Sequence, residues 1–150
     1  MNKMILGAVA LALLSTVSCK KSKSNDSTPS NEWKVGSTTY KASSVINNTT
    51  GLTATDVKSG NNSILFSFNG GTPTADGSYT VSSTGSTAPG TVTVVAYDMA
   101  SMGVYNVKSG TVTVKVKGGK VSVSLPASPA EYVGTVTKDD AEVSANLTEQ

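Results

Sequence analysis

The sequence predicts an all-β domain, an antiparallel β-sandwich or small flattened barrel of roughly 8–10 short strands. Three observations lead there. Beyond the amino terminus no helical periodicity is present. Val, Thr and Ser alternate instead in short runs bounded by Gly, Asn and Asp clusters. One hairpin can be registered residue by residue. It runs from Thr111 to Lys117, turns at Gly118-Gly119, and returns from Lys120 to Leu125. A two-residue glycine turn pairs Val116 with Val121, Val114 with Val123 and Val112 with Leu125 on one face. Thr113, Lys115, Ser122 and Ser124 share the other, and a slip of one residue would mix the faces.

In chain order, Lys3 precedes an uncharged, mostly apolar run from Met4 to Val17. A membrane-spanning helix needs ~20 apolar residues, so this run is too short. A basic start, a short apolar stretch and small residues before a cleavage point describe a secretory signal helix over 1–18. The sole cysteine, Cys19, ends that stretch. Thr16-Val17-Ser18-Cys19 resembles the lipobox of bacterial lipoproteins, with Thr16 where Leu, Val or Ile is usual. The resemblance implies that Cys19 receives a diacylglyceryl group on sulfur, with a palmitate-like acyl chain on nitrogen, and becomes the mature amino terminus. Cleavage by the ordinary signal peptidase after Ser18 is the alternative, and it leaves a free thiol in an oxidising compartment. Each buried methylene contributes ~0.8 kcal/mol, so several acyl chains hold the protein on a membrane where one does not.

Residues 19–31 form the lipid-anchored tether. Lys20 to Asn31 holds no large apolar side chain, so it cannot offset the entropy of ordering. As a flexible coil it reaches roughly 20 Å. Asp26-Ser27-Thr28 resembles the O-glycosylation acceptor of Bacteroidota, which makes Ser27 the residue to examine for a glycan.

Residues 32–150 form one domain. The expected strands follow in turn. Asn31 to Val35 and Thr39 to Ala42 flank Gly36-Ser37, and Leu52 to Val57 leads through Ser59-Gly60-Asn61-Asn62 into Ser63 to Phe68. Gly77 to Val81 is brief, while Thr91 to Tyr97 and Val104 to Val107 bracket Met99-Ala-Ser-Met-Gly103. After the glycine hairpin, Gly134 to Thr137 and Glu142 to Leu147 close the chain across Asp139-Asp140. Val-Lys-Ser-Gly recurs at 57–60 and 107–110, and Gly-Thr-Val-Thr-Val at 90–94 and 110–114. The intervals are unequal, so these are a shared turn-and-strand vocabulary and no solenoid.

Composition narrows the chemistry. The 150 residues include 12 basic and 10 acidic side chains, a single cysteine and no histidine, for a net charge of +2. Every basic residue is lysine. Imidazole bases, Ser-His-Asp and Cys-His nucleophile systems and His-based metal sites are therefore excluded. One thiol makes neither a zinc knot nor an internal disulfide. Without arginine, and with a charge near zero, nucleic acid is not the expected partner. No cofactor and no metal ligand set is expected, and the chain reads as non-enzymatic.

Two patterns remain as candidate chemistry. Asp139, Asp140 and Glu142 are an acidic cluster without the spacing of a calcium loop, and they read as a polar turn. Trp33, Tyr40, Tyr79, Tyr97, Tyr105 and Tyr132 could supply a stacking platform, but a chain poor in large aliphatics needs most of them in its core. Tyr105 and Tyr132, lying near loops, are the candidate ligand contacts. Met99 and Met102 offer a sticky loop tip or a gap filler.

The layout as a whole resembles small Bacteroidota lipoproteins. The features shared are the signal ending at Ser18-Cys19, the polar tether, Trp33…Val35-Gly36…Tyr40-Lys-Ala42, Gly77-Ser-Tyr79-Thr-Val81 and the late Ser-Gly-Thr-Val-Thr-Val. That resemblance implies a lipid-anchored, all-β domain at the outer membrane and brings no catalytic residue. Lys20 and Lys21 stand where surface-exported lipoproteins carry acids, which favours a periplasm-facing anchor. The expected function is a non-catalytic envelope module that binds a glycan, small ligand or protein, with the membrane as partner through Cys19. A structural or accessory subunit of an outer-membrane complex is the second reading, and a carboxylate-based hydrolase the third.

Overall fold

The computed structural model describes residues 30–150. The signal, Cys19 and nearly all of the tether lie outside the described residues.

Eleven strands make one large mixed sheet. They are β1 (Glu32–Val35), β2 (Thr38–Lys41), β3 (Ser44–Asn48), β4 (Gly51–Asp56), β5 (Asn62–Phe68), β6 (Gly77–Val81), β7 (Thr91–Asp98), β8 (Gly103–Val107), β9 (Thr111–Lys117), β10 (Lys120–Val133) and β11 (Ala141–Thr148). The strand order is β2-β1-β11-β10-β9-β6-β7-β5-β4-β3, with β8 pairing both β10 and β7. Strands β8 and β9 follow each other along β10, which pairs with β9 at 120–124 and with β8 at 130–133. This is the architecture of a β-sandwich or flattened barrel, as the sequence predicts.

The ends of the sheet are drawn together. Only Ala42 and Ser43 separate the outer strands β2 and β3 in the chain. Lys41 N donates to Asp56 Oδ2 at 3.2 Å, and Gln150 N to the Val45 carbonyl at 3.1 Å. Side chains from every part of the sheet meet in one core, including Trp33, Val45, Leu52, Phe66, Val94, Val114, Val123 and Leu147. Valine dominates it, each full burial contributing roughly 1.5–3 kcal/mol. Trp33 is the largest fully buried side chain. Its Nε1 has no hydrogen-bond partner among the described residues.

The β9–β10 hairpin has the expected register, with Lys117 opposite Lys120, Val116 opposite Val121 and Val114 opposite Val123. The structure departs from the sequence reading elsewhere. Strand β3, Ser-Val-Ile-Asn-Asn, carries too little alternation to be recognised, yet pairs with β4 along its whole length. Strand β10 does not stop at Leu125 but runs 14 residues to Val133. Its Pro126 would interrupt a regular ladder. A register shift between Leu125 and Ser128 takes that proline out of pairing. Gly134 to Thr137, expected as a strand, is irregular loop. The sheet is also not wholly antiparallel, because β6 and β7 pair in parallel at Thr80–Thr91 and Val81–Val92. The connection 82–90 crosses back instead of making a tight hairpin.

Candidate functional site

The registers of β4, β5 and β7 define two opposite ends of the sheet. At one, the β4–β5 turn, the β7–β8 turn and the β10–β11 loop converge, and there Tyr105 and Tyr132 lie.

Neither tyrosine sits in a loop. Tyr105 is on β8 and Tyr132 on β10, directly opposite in register. Their ring centroids are 5.0 Å apart with planes inclined at 56°. Tyr105 is buried, with 8% of its surface exposed, and packs into the core, whereas Tyr132 is half-buried. The Tyr132 hydroxyl donates to Ser101 Oγ at 2.9 Å. Two glycines make room for the ring: a Cβ at Gly103 would fall 2.2 Å from Tyr132 Oη, and one at Gly134 2.1 Å. The loop that sequence reasoning read as a strand thus seats Tyr132 instead.

The charged groups come from distant segments. Lys138 of the β10–β11 loop pairs with Asp98 at the end of β7. Its Nζ stands 5.7 Å from the centre of the Tyr132 ring, a cation–π contact. Burial opposes the charge on Asp98, but hydrogen bonds from Lys138 and Ser101 outweigh it and hold the carboxyl below its usual range. Lys138 is correspondingly raised by its bond to Asp98. Asp56, buried at the β4–β5 turn, is lowered chiefly by the Ser59 hydroxyl, which donates at 2.6 Å. Lys58 N, Ser59 N and Lys41 N also donate to it. Asn62 links this turn to the next, since its side chain donates to the Ser59 carbonyl and accepts from Met99 N.

Tyr40, stacked on Trp33 at 5.2 Å and 16°, belongs to the same neighbourhood. Burial raises its phenol, and Asp98 raises it further. Burial likewise raises Tyr105. The phenols therefore stay neutral near pH 7, and the two lowered carboxylates stay ionised and weakly basic. The arrangement is suited to packing and contact.

The outer surface of this end is unusual. Seven large apolar side chains are exposed in the described residues, and six belong here: Val57, Tyr97, Met99, Met102, Val133 and Val136. Tyr97 and Val133 flank Val104 in one cross-strand row. Thr135 Oγ1 donates to the Ser101 carbonyl, which joins the loop of Val136 to that of Met102. Asp139, Asp140 and Glu142 lie exposed beside the patch. Asp140 Oδ1 accepts from Tyr132 N at 3.1 Å. Among the described residues no group of three or more His, Cys, Asp or Glu is placed to hold a metal ion.

The six aromatics do not form one platform. Trp33 is core, Tyr40, Tyr105 and Tyr132 cluster inward, Tyr97 faces out, and Tyr79 lies against Phe68 at the opposite end. Asp98, Ser101 and Lys138 are not legible as a group in the sequence, because no spacing joins the β7–β8 turn of Asp98 and Ser101 to the β10–β11 loop of Lys138. No protein-family model matches the chain, and neither a curated protein nor a solved structure shows significant similarity to it.

Proposed function

We propose that this chain is a lipid-anchored, non-catalytic module of the cell envelope whose β domain binds a protein partner through the tyrosine end. The observation that carries the binding reading is the gathering there of six of the seven exposed large apolar side chains. Contiguous apolar surface rimmed by polar groups is typical of interaction sites. The two methionines at the β7–β8 turn supply adaptable contacts. Asp139, Asp140 and Glu142 at the rim favour a partner surface bearing lysine or arginine around apolar residues, whereas Glu131 is already paired with Lys108.

The anchor reading rests on the apolar run that stops at Cys19, the only cysteine. Asn31 Oδ1 accepts from Thr148 N at 2.6 Å, and Thr148 is opposite Ser122. Ala42 N also donates to the Asn31 carbonyl at 2.8 Å, so the tether enters between the β9–β10 hairpin and the β2–β3 corner, where Ser43 Oγ accepts from Val57 N. Lys115, Lys117 and Lys120 are exposed near that entry, where each contributes about 1 kcal/mol against an anionic membrane surface. Docking through an edge strand has less to offer a partner: β2 has four residues and β3 five, and Gln150 already bonds the Val45 carbonyl.

Fractionation of Cys19→Ala tests the anchor, and retention of the variant in the membrane sinks it. Photocrosslinking in the envelope from position 102, compared with position 117, tests the binding end. A specific adduct at 102 that Val133→Glu abolishes is the expected result. Equal crosslinking from both positions overturns this reading.

A further inference from the structure

At the end opposite the tyrosines, the β5–β6 loop (69–76) and the start of β6 enclose an open cleft of about 410 Å³. That volume lies within the usual range of small-ligand sites, about 300–1,000 Å³. We propose that this cleft binds a neutral carbohydrate, independently of the protein-binding end.

The lining decides the chemistry. Asn69, Thr72, Thr74, Asp76, Ser78 and Tyr79 supply an amide, hydroxyls, one carboxylate and one aromatic ring, and no lysine lines the cleft. A phosphate or carboxylate ligand would meet Asp76 without a compensating cation. A purely apolar ligand would strip water from the hydroxyls and the carboxylate without replacing their hydrogen bonds. A sugar satisfies both parts of the lining: its C–H face lies on the phenol ring, and its hydroxyls bond the carboxylate and the threonine and serine oxygens.

The cleft is also built in advance, which lowers the cost of binding. Asn69 donates its side-chain amide to the Ser86 carbonyl and to Thr91 Oγ1. Its backbone N–H donates to the Thr91 carbonyl at 3.1 Å. Thr72 Oγ1 donates to the Asn48 carbonyl on the β3–β4 hairpin. Asp76 Oδ1 accepts from Val116 N at 2.7 Å, while Oδ2 has no partner among the described residues and is free for a ligand hydroxyl. Between these ties Gly70 and Gly71 take φ values of 99° and 92°, a region that glycine enters without strain. The Tyr79 ring is held by Phe68, whose ring meets it edge-on with centroids 4.8 Å apart. A Cβ at Gly77 would stand 3.3 Å from Tyr79 Cε2, so glycine there lets the ring settle.

The test is titration of the full-length Cys19→Ala chain with malto-, cello-, xylo-, manno- and chito-tetraose, followed by calorimetry and by amide chemical shifts. At least one sugar is expected to bind saturably, with shifts confined to residues 69–79 and Gly90. Tyr79→Ala and Asp76→Asn should each weaken it about tenfold or more. Thr74→Ala, an exposed loop change, should weaken it several-fold without altering the thermal midpoint, so that loss of binding is not confused with loss of fold. Val133→Glu should leave sugar affinity unchanged, which separates this cleft from the protein-binding end. The proposal fails if no sugar binds at millimolar concentration, if the cleft variants bind as well as the parent, or if inorganic phosphate binds with equal affinity.

Discussion

The two ends of the sheet are built from the same strands and finished in opposite ways. The tyrosine end is closed from inside by side chains. Tyr105 and Tyr132 fill it, Asp56 and Asn62 lace its turns, and its apolar surplus faces outward. The cleft end is closed by backbone, with a glycine-bearing loop tied down at Asn69, Thr72 and Asp76 around a polar hollow. The contrast teaches that stability and accessible chemistry are divided between them. Removing a side chain should be costly at the first end, whereas constraining the backbone should matter more at the second.

The largest expected effect follows from ring deletion. Tyr132→Ala should lose about 3–5 kcal/mol, since it empties the space between Gly103 and Gly134 and leaves Ser101 Oγ without its donor. Tyr79→Ala, at a half-open site, should lose about half as much. Urea denaturation of both variants measures the difference, and equal losses would abolish the distinction between the ends.

Next come the glycines. Gly134→Ala forces a methyl against the Tyr132 hydroxyl and should cost about 1–3 kcal/mol. Gly70→Ala meets open space but a φ of 99°, so it should cost about 1–2 kcal/mol through backbone strain alone. Combining Gly134→Ala with Tyr132→Phe should recover part of the first loss and none of the second. Thermal melts of the double variants distinguish clash from strain.

Acid should act on the tyrosine end first. Asp56 and Asp98 both titrate below their ordinary values in the folded protein. Their stabilisation is therefore complete above the unfolded carboxylate pKa of about 4, and is lost as pH falls through the folded values. Asp56→Asn should make stability less dependent on pH below about 4 while lowering it at pH 7. An unchanged acid limb in a pH series of melts would show that Asp56 does not carry the effect. The smallest change is Lys138→Ala. Lys138 is solvent-exposed, so its loss should lower the thermal midpoint less than any of the variants above, and less still in high salt.

How much of this was legible beforehand depended on whether a signal was local. The β9–β10 hairpin could be registered because alternation and a Gly-Gly turn lie within one short stretch. Strand β3 could not, because Ser44-Val-Ile-Asn-Asn48 becomes a strand only when β4 offers an edge. Conversely, Gly134 to Thr137 has strand-like residues but irregular structure. Strand β10 ends at Val133, and Gly134 is needed as space for Tyr132. Beyond Leu125, Pro126 would interrupt a regular ladder, and only the register shift beside it lets β10 run on to Val133.

The same division holds for the sites. Alternation and turn chemistry specify strands, and the apolar run ending at Cys19 is a property of consecutive residues, so fold class and the expected anchor both follow from reading along the chain. The pairing of Asp98 with Lys138, the facing of Tyr105 and Tyr132, and the outward gathering of Met102, Val133 and Val136 depend on long-range strand order. No sequence interval encodes that order. It is set when the sheet folds over and buries one face of every strand together, and this burial is what brings distant residues to the same end.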